Sequence, residues 1–160
     1  MEIVFVRTGT RRDRFHVTRD DGSEASWAFP SYGDALPHDL VHFVCERELG
    51  VRDGIFGAIA RGADLERINA KANRAGGKDK YAAFGPDLEG VLWSEALATA
   101  PWSATDDAIV EALRASCRRM GVELRALSRE DLARTREAMA KMAARWRRLA
   151  PREAIHATFP

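Results

Sequence analysis

The first thirty residues read MEIVFVRTGTRRDRFHVTRDDGSEASWAFP (residues 1–30), and they are expected to carry most of the β part of the fold. Ile3-Val4-Phe5-Val6 is a β-branched and aromatic run, which predicts a strand. From Arg14 to Arg19 the chain alternates, with Phe15 and Val17 on one face and His16 and Thr18 on the other. Asp20-Asp21-Gly22-Ser23 is a turn sequence. Residues 25–29 therefore return as a third strand, antiparallel to the second.

Beyond Pro30 the period changes from two to between three and four. Residues 36–49 predict a helix, with Pro37 in its first turn, Asp34 or Leu36 as its cap and Gly50 as its stop. Residues 54–61 predict a second helix through Ile55, Phe56 and Ile59, with Gly57 and Ala58 small enough for close packing. Residues 63–72 extend it weakly through Leu65 and Ile68. Residues 73–80, with two glycines and four charges, read as a mobile loop. Residues 86–98 are helical in pattern.

Thr105 followed by Asp106 and Asp107 opens the next helix, because a hydroxyl cap and first-turn acids both suit a helix N-terminus. Its stripe is Ile109, Leu113, Cys117 and Met120, and Gly121 ends it. Residues 122–127 fit either a short strand or a connector. Ser128 and Asp131 form a capping-box-like start. The helix behind it runs to about Leu149 on Leu132, Thr135, Met139, Met142, Trp146 and Leu149. Residues 154–159 read as a strand that returns to the N-terminal sheet. The expected class is α+β: a small antiparallel sheet of the N-terminal strands plus the C-terminal strand, packed against about five helices. One domain is expected to span residues 1–160.

Composition narrows the function classes. With 46% apolar and 31% charged residues in 160, the chain is globular and long enough to bury a core without crosslinks. Lys and Arg number 25 against 24 Asp and Glu, a net charge of +1. No global field then draws nucleic acid or anionic lipid. Arg145, Arg147, Arg148 and Arg152 satisfy a helix C-terminus, and Lys71, Arg74, Lys78 and Lys80 keep a loop soluble. Nucleic acid is accordingly not the expected partner. No secretory signal and no membrane-length apolar run is present, so a cytoplasmic protein without a membrane partner is expected. Cys45 and Cys117 are expected as reduced core residues, without a disulfide. The stripe from Leu132 to Leu149 leaves room for a homodimer. No G-x-S-x-G serine and no C-x-x-C pair is found.

One segment carries possible chemistry: Leu36-Pro37-His38-Asp39-Leu40-Val41-His42. His38 and His42, four apart on a helix, share a face and can chelate one metal ion, a divalent metal such as zinc. Asp39 stands where H-E-x-x-H enzymes place the glutamate that acts as base, and Glu46 continues the stripe as a second candidate base. Glu46 lies too far along the helix to share the metal with both histidines. The third ligand must come from elsewhere, with His16, His156, Asp34 and Cys45 as candidates. Most of this helix is apolar around its girth, so a simpler account makes both histidines structural, bonded to carbonyls or carboxylates, or lining a binding surface. That account gives a cytoplasmic protein of uncharacterised activity. The alternative is a metal-dependent hydrolase-like enzyme, and a weaker one is a nucleic-acid-associated regulator.

The stretch LPHDLVHFVCERELG, followed by GIFGAIARGA, resembles a group of small uncharacterised bacterial proteins with an LPHD-x-x-H segment and a glycine-punctuated helix. The resemblance spans about Leu36 to Ala63 and implies no established activity. H-D-x-x-H also resembles a zinc-binding group of ubiquinone-biosynthesis factors. Those carry a glutamate twelve residues beyond the second histidine, where this chain has Gly54.

Overall fold

The computed structural model describes residues 1–64 and 82–160. The predicted weak helix of residues 63–72, with Lys71, and the charged loop of residues 73–80, with Arg74, Lys78 and Lys80, lie almost wholly outside the described residues. The element order is β1 (Glu2–Val6), β2 (Arg12–Thr18), β3 (Glu24–Pro30), α1 (His38–Leu49), α2 (Ile55–Ala60), α3 (Leu88–Ala98), α4 (Asp106–Met120), α5 (Arg129–Arg148) and β4 (Ala154–Thr158). A 3-10 turn over Ala82–Asp87 leads into α3. The class is α+β: one four-stranded antiparallel sheet in the order β3-β2-β1-β4, with five α-helices among the described residues.

The alternation read in the sequence sets the sheet's two faces. Phe5 lies opposite both Phe15 and Ile155, and Ile3 lies opposite Val17, all on the covered face. Val4 lies between His16 and His156 on the other face, where both histidines are exposed. The C-terminal strand pairs with β1, as the short return from a long helix suggested.

Helix α1 lies between two hydrophobic clusters. Its Leu40, Phe43 and Val44 join Phe5, Phe15, Phe56, Trp146 and Phe159 beneath the sheet. Its Cys45 joins Trp93, Leu97, Trp102 and Ile109 on the side of α3 and α4. Each fully buried aromatic or branched side chain contributes about 1.5–3 kcal/mol. A helix covered on both sides can expose its polar stripe only at its first turn, where His38 and Asp39 are half-buried. His42 and Glu46 are therefore buried, and each needs a partner indoors.

Several boundaries differ from the sequence reading. Helix α1 starts at His38, and Pro37 itself is the extended cap residue (φ −60°, ψ 146°), without a side-chain cap. Asp34 is held instead by Arg7 at 2.6 Å, and Arg7 also donates to the carbonyls of Trp146 and Leu149 at the end of α5. Residues 122–127 form no strand. They are a connector pinned by Arg125, whose guanidinium grips both oxygens of Asp53, at 2.9 and 2.5 Å. Thr105 caps α4, and Ser128 with Asp131 forms a complete capping box on α5. Both cysteines are free and buried.

Gly57 shows how tightly the turn before α2 is packed. A Cβ there would collide with the backbone carbonyl of Arg52. Backbone cannot swing aside as a side chain can. Gly57→Ala is expected to destabilise the protein by about 2–3 kcal/mol, read as a lower urea midpoint at unchanged slope.

Candidate metal centre

The turn after α1 folds back so that the N-terminus of α2 faces Glu46. The Glu46 carboxylate accepts from the backbone N–H groups of Ile55 (2.8 Å), Phe56 (2.9 Å) and Gly57 (3.3 Å), which have no partner within their own helix. Ser94 of α3 donates its hydroxyl to the same carboxylate at 2.5 Å. All four lone-pair positions are thus taken, which is the arrangement of an ionised carboxylate. Burial pushes this carboxyl above its ordinary range, while the Ser94 hydroxyl, His42 and the amides of Phe56 and Gly57 pull it back. The fit requires Gly54, because a Cβ there would strike the carboxylate.

The Ser94 hydroxyl has one hydrogen, and Glu46 receives it. Its oxygen must then accept from His42 Nδ1 at 2.7 Å. This fixes the tautomer: Nδ1 of His42 carries hydrogen and Nε2 points onward. It points at Glu95 of α3, with 3.3 Å between Nε2 and the carboxylate. His38 Nε2 lies 3.7 Å from the other Glu95 oxygen. The two imidazoles meet edge to face with centroids 4.6 Å apart. One donor atom from each of His38, His42 and Glu95 lies within 4.8 Å of the other two. His42 is sealed at 2% exposure, whereas the side chains of Glu95 and His38 are 22% and 41% exposed, so the group opens toward solvent on the His38 side.

The pairing of His38 with His42 follows from their spacing, and the third group from helix packing. None of the sequence candidates for the third ligand joins them. His16 and His156 sit on the open face of the sheet, Asp34 is bound to Arg7, and buried Cys45 points its thiol at the Leu97 carbonyl. Gly54, at the place where the zinc-binding resemblance has glutamate, packs on Glu46. The converging carboxylate is Glu95, which the sequence reading passed over. Its only signal was the neighbouring pair Ser94-Glu95, two polar residues inside an otherwise apolar run, Val91-Leu92-Trp93 before and Ala96-Leu97 after.

Comparison with known proteins returns no matching family model, no similar curated protein and no similar solved structure. Geometry is therefore the guide to this site.

Of the two candidate bases, Asp39 is half-buried one position along from His38 and is not among the three converging groups. Glu46 is fully buried with both oxygens engaged by α2 and Ser94. The expected candidate base Glu46 thus lies away from the three converging groups. It orients His42 through Ser94 and caps α2.

Proposed function

We propose that this chain binds a divalent transition metal, zinc foremost, through His38, His42 and Glu95, and that the centre is a reactive one with a coordination position open to solvent. The observation that carries this reading is the orientation of His42. A buried imidazole bonded through Nδ1 to an anchored hydroxyl presents the Nε2 lone pair to a carboxylate, and two electron-rich groups face each other stably only with a cation or proton between them. Their spacing favours the cation. A charge-assisted N–H···O bond is about 2.7–2.9 Å long. Ligand atoms about 2.1 Å from zinc at tetrahedral angles lie about 3.4 Å apart. His42 Nε2 to one Glu95 oxygen, at 3.3 Å, and His38 Nε2 to the other, at 3.7 Å, both lie nearer the second value than the first.

Two histidines and one carboxylate with a free position is a donor set used by catalytic rather than structural zinc. Metal bound there would supply Lewis acidity toward a carbonyl or phosphoryl oxygen. The chain's own residues do the rest: Glu46 and Ser94 hold His42 in one tautomer, and the exposed edge at His38 admits a ligand.

The test is equilibrium dialysis of untagged protein against zinc, cobalt and manganese, followed by metal analysis. About one zinc or cobalt per chain is expected. No metal above the buffer background after reconstitution would return both histidines to a purely structural role. Ser94→Ala is a finer probe. It leaves all three ligands in place but removes the group that orients His42, so metal affinity is expected to fall about 10–100-fold. Competition against a chromophoric chelator reads that change directly.

A further inference from the structure

Charge that is balanced along the chain is sorted in space by the fold. Residues 7–14 and 145–153 together hold eight of the chain's 25 basic side chains, all arginine. They lie more than 130 positions apart, yet the sheet joins them. Arg7 N–H donates to the Glu153 carbonyl at 3.0 Å, Arg152 N–H returns to the Arg7 carbonyl at 2.6 Å, and Gly9 of the β1–β2 loop lies against Pro151. Arg11, Arg12, Arg14, Arg145, Arg147, Arg148 and Arg152 are all exposed, and none has an ion-pair partner among the described residues. The carboxylates in these two segments are Asp13, which is fully buried, and Glu153, which accepts from the Ala150 N–H. Asp34 is taken up by Arg7. A chain of net charge +1 thus presents one strongly positive end.

An aromatic ring stands at the same end. Tyr32 is 50% exposed and one of two exposed large apolar side chains among the described residues. Its neighbour Ser31 donates its N–H to the Arg11 carbonyl at 3.0 Å, and Gly33 accepts from the Trp146 indole. Tyr32 is therefore carried on a loop fixed between the hairpin and the end of α5.

We propose that this end binds single-stranded nucleic acid, with the arginines taking phosphates and Tyr32 stacking on a base. Arginine suits phosphate because its planar fork gives two parallel hydrogen bonds, which a lysine cannot. An exposed ring at the same end as unpaired cations is the combination that single-strand binders use, and it tolerates any sequence because every base has a π-face. A single strand is favoured over a duplex because a duplex hides its base faces from Tyr32. A membrane surface is disfavoured because, among the described residues, Tyr32 is the one exposed large apolar side chain at this end, too little to enter lipid. The proposal stands apart from the metal centre and does not depend on it.

The test is fluorescence anisotropy with labelled mixed-sequence single strands of DNA and of RNA, a duplex of the same sequence, and vesicles containing anionic lipid. Single strands are expected to bind at low salt and to weaken steeply as salt rises, with a log–log slope of about −0.7 per phosphate contacted. Preference for RNA or DNA would identify which of the two is taken. Tyr32→Ala is expected to weaken binding about tenfold or more. The double variant Arg14→Gln, Arg148→Gln should flatten the salt slope by about 1.4. All three positions are exposed, so thermal melts should match the parent protein. Absence of binding at low salt overturns the proposal. So does tighter binding of duplex with Tyr32→Ala silent, or retention on vesicles without retention on oligonucleotides.

Discussion

Glu46→Ala is expected to destabilise the protein by about 4 kcal/mol or more, which is a large share of a typical domain's total of about 5–15 kcal/mol. The reason is the number of donors that the carboxylate serves. Without it, the N–H groups of Ile55, Phe56 and Gly57 and the Ser94 hydroxyl lose their acceptor. Each buried donor left unpaired costs about 1–3 kcal/mol, partly relieved where water enters the space. Glu46→Gln keeps the volume and one acceptor oxygen, but sets an NH2 group against N–H donors, so an intermediate loss is expected. Chemical unfolding of both variants measures this. A Glu46→Ala protein as stable as its parent would mean that the carboxylate is not the cap of α2, and would favour the reading of Glu46 as a catalytic base.

Glu95→Ala is expected to act in the opposite way, with little effect on folding and a large one on metal. Glu95 is partly exposed and sits near the end of α3. Its removal leaves a position that solvent can reach, so stability without metal should change by only about 1 kcal/mol. Losing the partner of a ligand weakens metal binding about 10–100-fold. Losing a ligand itself is expected to exceed about a hundredfold, and His42→Ala should match it. His16→Ala and His156→Ala serve as controls, because both histidines lie on the far face of the sheet. Chelator competition across the four variants should separate them into two groups.

The two expectations share a physical origin, the position of α1 between two hydrophobic clusters. The sequence showed this helix as apolar around most of its girth with a narrow polar stripe, which was enough to predict that its histidines would need hydrogen-bond partners. The sheet was equally legible. The period-two alternation of Phe15 and Val17 against His16 and Thr18 fixes which face is covered, and a strand after a long helix has little choice but to return. The caps at Thr105 and Ser128 were legible because capping is local, involving residues three positions apart.

Illegible features were those set by packing between distant elements. Ser94 and Glu95 reach the histidines only because α3 crosses α1, and no period or motif links positions 42 and 94. The same holds for the arginine-rich end. Read along the chain, its two halves are a hairpin loop and a helix terminus, each with a bland local reason for its charge. Pairing of β1 with β4 brings both segments to the same end of the sheet. Net charge does not register such an end, because it sums over side chains that the fold separates in space.

X-ray absorption on the cobalt- or zinc-loaded protein tests the metal centre most directly, since it reads the donors themselves. A centre of His38, His42 and Glu95 gives nitrogen and oxygen neighbours at about 2.0–2.2 Å, with the outer scattering of two imidazoles and no sulfur. That outer scattering should fall to one imidazole in His38→Ala. A sulfur neighbour near about 2.3 Å would instead place the ion at a cysteine. A spectrum without imidazole scattering would contradict the assignment outright.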